Sequence, residues 1–163
     1  MTQAKGELEL YFLRHADAGD PMAWTGDDAV RPLSEKGEKQ ARGMGRWLAK
    51  AGFKPDAIVS SPKVRALKTA EIFGHAVGVA VDVDDRLGGL DDLSELSDVV
   101  TAHGGTRVVV VGHDPDFSEL AAELAGVGRL PVKKGAIVRI DASLPLRSGR
   151  GTLRWLVPPD LVD

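Results

Sequence analysis

In the stretch Arg107–Val111 (RVVVV) four valines follow one another without any alternation of polar and apolar positions. A strand with one wet face alternates with period two, so this run predicts a strand covered on both faces, as in a parallel sheet between helical layers. Leu8–Leu13 (LELYFL) is a second short apolar run, and Ala57–Val59 and Val79–Val83 are shorter pieces of the same kind. Helical patterns lie between them. Ser34 precedes a segment with Ala41, Met44, Leu48 and Ala51 on one face and Gly52 as its stop. Ser61-Pro62 reads as an N-cap and first helical residue ahead of Leu67, Ala70 and Phe73. Asp92–Val100 is a weaker helical segment, and Asp114-Pro115 opens another that carries Phe117, Leu120, Ala121 and Leu124. Two last apolar runs, Ala136–Ile140 and Thr152–Val157, flank a turn-rich region and predict an antiparallel pair. The expected fold is α/β: a doubly wound, mainly parallel sheet with helices on both faces and a C-terminal antiparallel edge pair, with residues 1–163 as a single domain.

Composition narrows the chemistry. The chain of 163 residues has no cysteine, which removes disulfides, thiolate zinc sites and cysteine nucleophiles, and fits a cytoplasmic protein. A net charge of -3 argues against wrapping nucleic acid. No apolar stretch approaches the length of a membrane span, and no signal peptide is read.

In open α/β sheets, ligands bind beyond the carboxyl ends of the parallel strands. Two of the predicted strands end in histidine, at Arg14-His15 and at Gly112-His113. Arg65, four residues after Ser61, adds a guanidinium at a helix start on the same edge. Two arginines and a helix N-terminus describe an anion site, and a phosphoryl group is its natural occupant. With cysteine absent, a neutral imidazole is the best nucleophile available to attack phosphorus. His75 and His103 lack this context and read as surface residues.

These residues also carry a resemblance. Leu13-Arg14-His15-Ala16, Ser61-Pro62 with Arg65, and Gly112-His113 resemble, in order and spacing, the motifs of the histidine phosphatase superfamily. Arg31-Pro32-Leu33-Ser34-Glu35-Lys36-Gly37 and Lys68-Thr69-Ala70-Glu71 are more closely similar to the small SixA-type phosphohistidine phosphatases. The likeness runs from about Leu8 to Leu161. It implies that His15 is the phosphorylated nucleophile and that Arg14, Arg65 and His113 bind the phosphoryl oxygens; no metal or cofactor is expected, since two arginines beside the site would repel a cation. Asp28 matches an acidic position common in the SixA-type group.

The sequence departs from the wider pattern at Ala16, where glycine is frequent, and at Arg86-Leu87-Gly88-Gly89, where many relatives place a glutamate that protonates the leaving group. Asp17, Asp28, Asp91 and Asp92 are left as acid/base candidates. An alkoxide needs a proton from a positioned acid, whereas an imidazole protonated on its other nitrogen departs neutral, so the missing glutamate favours a phosphohistidine substrate. The expected activity is therefore hydrolysis of phosphohistidine on a partner protein. The alternatives are a general phosphomonoesterase, a metal-dependent hydrolase using His15 with Asp17 and His113 with Asp114, and a non-catalytic phosphoryl-binding regulator. A neutral His15 beside a cationic His113 is expected to give a bell-shaped pH profile. Only 23 residues, Asp84–Thr106, connect the third and fourth strands, too few for a loop, a helix and a roof over the site.

Overall fold

A computed structural model describes residues 7–162 of the chain. Six strands form one sheet: β1 (Glu7–Arg14), β2 (Ala57–Ser60), β3 (Val81–Val83), β4 (Arg107–Gly112), β5 (Ile137–Ser143) and β6 (Thr152–Val157), in spatial order β3-β2-β4-β1-β5-β6. The first four are parallel and the last two antiparallel. Four helices connect them: α1 (Glu35–Lys50), α2 (Val64–Val77), α3 (Leu93–His103) and α4 (Asp116–Ala125).

The valine run behaves as its lack of alternation predicts. Val108 and Val110 join Leu8, Leu10 and Phe12 in a core layer against α3 and α4, while Val109 and Val111 join Tyr11 and Leu13 against α1 and α2. All four valines are fully buried, so both faces of β4 are covered. Each such side chain contributes on the order of 1.5–3 kcal/mol through burial, and that two-sided contribution holds the centre of the sheet rigid.

Three local expectations are corrected. Ala51 lies just past the end of α1, exposed, because the chain turns at Gly52 with φ of +82°. The buried face of α2 is Ala66, Ala70, Phe73 and Val77, with Leu67 at the flank of that stripe and only half-buried, and the helix begins at Val64 rather than at Pro62. Ser61 is therefore not its N-cap. His103 is not a free surface residue either: its Nε2 lies 3.0 Å from Asp84, whose carboxylate is held well below the usual range first by its bond to Arg86. That cluster braces the 84–106 connection, which holds one turn of 3-10 helix at Asp85–Gly88, then α3, and no further helix.

The start of α1 is positioned by a close approach. Ser34 caps it by accepting the Gly37 N–H, and a Cβ placed on Gly37 would stand 2.0 Å from the backbone oxygen of Asp17. Helix propensity alone favours Ala over Gly by about 0.5–1 kcal/mol. The clash reverses that preference, so Gly37→Ala is expected to lower the thermal unfolding temperature and to disturb the segment just after His15. An unchanged or raised melting temperature would show that the Asp17 backbone yields freely.

Candidate active site

The ladder between β1 and β4 ends with Arg14 opposite Gly112, so His15 and His113 leave the same edge of the sheet side by side. Their ring centroids are 5.3 Å apart, and both residues are buried. The His15 amide donates to the Gly112 carbonyl at 2.9 Å, which carries the ladder one residue further. His15 Nδ1 lies 2.7 Å from the Ala16 carbonyl, an atom that can only accept, so in the neutral ring Nδ1 carries the proton and Nε2 the lone pair. The Ala16 amide in turn donates to Thr69 on α2.

Two guanidinium groups flank these rings, each braced from behind. Arg14 donates through Nη1 to the Val132 carbonyl at 2.8 Å and lies 3.3 Å from Asp114. Arg65 donates to Asp28 twice, to its carbonyl at 2.8 Å and its carboxylate at 3.0 Å. Three buried nitrogens have no hydrogen-bond partner among the described residues: Arg14 Nε, Arg65 Nε and His113 Nδ1. Burying a polar hydrogen without a partner costs about 1–3 kcal/mol, so two guanidinium Nε–H groups left this way beside the histidines mark a place built for an anion. Nor does any side chain cap the first amides of α2.

The same burial sets the charge of the histidines. Desolvation pushes His15 down to about 4, with Arg65, Arg14 and Lys134 adding to the shift. His113 is pushed to about 3, again by desolvation first and then by His15, Arg65 and Lys63. The sequence pointed to a cationic His113 beside a neutral His15. Burial and the neighbouring cations favour the neutral form of both rings until an anion is bound between them.

Two positioning residues escaped the sequence reading. The Ser61 hydroxyl lies 2.7 Å from His113 Nε2 and accepts the Lys63 N–H, so it orients the ring rather than capping α2. Arg31, buried, donates to the Ala18 carbonyl and to Asp28, which ties the loop after β1 to Arg65. The signal for both was their place within recognised motifs, with nothing in the spacing to say what they touch.

A model of the histidine phosphatase superfamily (branch 1) matches residues 10–91. An uncharacterized protein of Picosynechococcus sp. is 34% identical over 122 residues, covering 72% of this chain and 73% of that protein. The chain belongs to the histidine phosphatase superfamily. It is thus a hydrolase with a catalytic histidine that works without a metal. Phosphohistidine phosphatase SixA of Escherichia coli is 29% identical over 158 residues, covering 93% of this chain and 94% of that enzyme. A solved structure of the protein histidine phosphatase SixA complexed with tungstate superposes with a TM-score of 0.83 at 26% identity, covering 96% of this chain and all of that one.

Within this histidine phosphatase the acid candidates are otherwise employed. Asp17 accepts from Ser34 at 2.6 Å, a bond that lowers its pKa, and sits 3.8 Å from Lys134. Asp28, with a side chain 56% exposed, bonds Arg31 and Arg65, and those contacts also lower its pKa. Both are ionised at neutral pH and unsuited to donate a proton. Asp92 caps α3 by accepting the Glu95 N–H, and Asp91 is exposed. Asp114, the partner suggested for a metal with His113, accepts from Ser118 Oγ at 2.6 Å and pairs with Arg14.

Histidines held neutral by burial tie stability to pH. Below about 6.5 the unfolded chain takes up protons on these rings while the folded chain does not, so stability falls as pH drops toward 4. His113→Asn is expected to flatten this slope by about one proton, or roughly 1.4 kcal/mol per pH unit between pH 6 and 4.5. Denaturant titrations across that range check it; parallel slopes would refute the burial of a neutral ring.

Proposed function

We propose that this histidine phosphatase removes phosphoryl groups from phosphohistidine on proteins, with His15 as nucleophile. The observation that carries the reading is the set of three buried nitrogens, without a partner among the described residues, beside a neutral imidazole. They suit the oxygens of a phosphoryl dianion. In this reading the His15 Nε2 lone pair attacks phosphorus while the P–N bond to the substrate breaks, its electron pair returning to the substrate imidazole. With its other nitrogen already protonated, that imidazole leaves neutral. Water then attacks the phosphorylated His15, restoring the ring and releasing inorganic phosphate. Arg14 and Arg65 offer their Nε donors to the phosphoryl oxygens. Ser61 donates to His113 Nε2, which leaves the His113 proton on Nδ1 as the third donor, with no need for an imidazolium.

Three things support phosphohistidine over a phosphate ester. Neither Asp17 nor Asp28 is held protonated, so an alkoxide would have no evident proton source. The short 84–106 connection adds one helix and no roof, which leaves the edge accessible to a folded partner. The likeness to SixA, named as a phosphohistidine phosphatase, points the same way.

The test is turnover of a phosphohistidine protein with inorganic phosphate as the readout. His15→Ala is expected to abolish it in a variant that still unfolds cooperatively, though at a lower temperature because a buried, hydrogen-bonded ring is removed, and rapid quenching of the wild type should trap acid-labile, base-stable phosphate on His15. Phosphate trapped on a serine or aspartate would overturn the assignment.

The proton argument has its own test. A Cβ on Gly88 would stand 3.9 Å from Ser61 Oγ and 3.8 Å from Pro62, ordinary contacts at the rim of the site, so a longer side chain fits there. Gly88→Glu is expected to raise kcat/KM for aryl or sugar phosphates by about tenfold or more, since general acids contribute 10²–10⁴-fold when well placed. No gain from a folded variant would show that leaving-group protonation does not limit ester hydrolysis.

A further inference from the structure

Large apolar side chains are distributed unevenly over the surface. Nine of them are exposed among the described residues, and five belong to segments leaving the carboxyl edge of the parallel strands: Met22, Trp24, Val30, Val64 and Val83. Met22, 90% exposed, sits on a 3-10 turn in the loop after β1. Val30 follows on a second turn of the same loop, two residues after Asp28. Val64 opens α2 and immediately precedes Arg65. Val83 ends β3 opposite Ser60, and it lines a surface hollow together with Leu67, one turn along α2 from Val64.

These pieces are joined through the site itself. The Asp28 carboxylate bonds both Arg31 and Arg65, which fixes the loop carrying Met22, Trp24 and Val30 against the first turn of α2. Trp24 is held to the same loop by its Nε1–H donating to the Asp27 carbonyl. The result is an arc of exposed apolar side chains, carried on the two segments that Asp28 bonds together, beside a cationic centre made of Arg14, Arg65, Lys63 and Lys134, the groups whose charges act on the two buried histidines. Exposed apolar groups on segments that also carry the site's own arginine and its bracing carboxylate suit a docking surface for what that site binds.

Resting on the proposed function, we infer that this arc is the docking surface for the substrate protein, and that it selects phosphohistidines flanked by apolar side chains. The charge pattern fits that occupant: the anionic phosphoryl group meets the cationic centre, and apolar neighbours of the modified histidine meet Met22, Val30 and Val64. A phosphohistidine flanked by carboxylates would leave the arc unsatisfied and strip water from charges with nothing to replace it.

The experiment uses a small helical carrier protein with one surface histidine, phosphorylated with phosphoramidate. It is made in two versions, with leucine or glutamate three and four residues to either side, and free phosphohistidine serves as the third substrate. The wild-type enzyme is expected to favour the leucine carrier over the glutamate carrier by at least about tenfold in kcat/KM, mostly through KM. Met22→Ser combined with Val64→Ser is expected to remove that preference and to change turnover of free phosphohistidine less than about twofold. Equal use of the two carriers by the wild type, an undiminished preference in the double variant, or a parallel loss on free phosphohistidine would each overturn the docking surface while leaving the phosphatase reading intact. Failure of the wild type on all three substrates would instead overturn the proposed function itself.

Discussion

The register of β1 on β4 is the constraint from which the catalytic edge follows. Arg14 faces Gly112, so the two strands finish level and each delivers a histidine at the same height. A slip of one residue would turn every side chain of β1 to the opposite face, sending Tyr11 and Leu13 into the wrong layer and His15 away from His113. The register is locked by burial on both sides of the sheet, with Leu10 and Phe12 in one core and Tyr11 and Leu13 in the other. Gly112 is part of the same fit, since a Cβ there would meet the Phe117 ring at 2.8 Å. Packing far from solvent thus decides where the reactive groups stand.

Electrostatics at that edge work by withholding partners. Asp28 and Asp114 orient the two arginines from outside, and the inner Nε donors stay without acceptors. The imidazoles lose their protons because water is excluded and the surrounding groups are cations. A phosphoryl dianion answers both conditions at once, supplying acceptors to the donors and negative charge to the cations. The stability given up by these unsatisfied groups is supplied by the sheet beneath them.

Fold class was legible because its signals are local: the unalternating valines, Ser34 before α1, and the turn between the last two strands. The strand ends carrying Arg14-His15 and Gly112-His113 were legible for the same reason, since a strand that stops at a polar pair is visible in a window of a few residues. What stayed hidden depends on contacts distant in sequence. Ser61 looked like a helix cap, and only the fold brings it to His113, 52 residues away. His103 looked free until the 84–106 connection folded back on itself and set it against Asp84. The charge of His113 was hidden for a related reason: it depends on burial and on cationic neighbours that no short window reveals, and both favour the neutral ring.

The Asp28 bridge carries a consequence for how such an enzyme changes over time. Its carboxylate is shared by the loop after β1 and by the guanidinium of α2, through Arg31 on one side and Arg65 on the other. The strand ends that hold the histidines are buried on both faces, whereas the turns at residues 21–23 and 28–30 bury no side chains and are pinned at a few polar points. Sequence drift between those points can alter which surfaces the loop accepts without moving a reacting atom. The fold thereby separates what is inherited as chemistry from what is free to diverge as recognition, and duplicated copies of the gene would part company first in that loop.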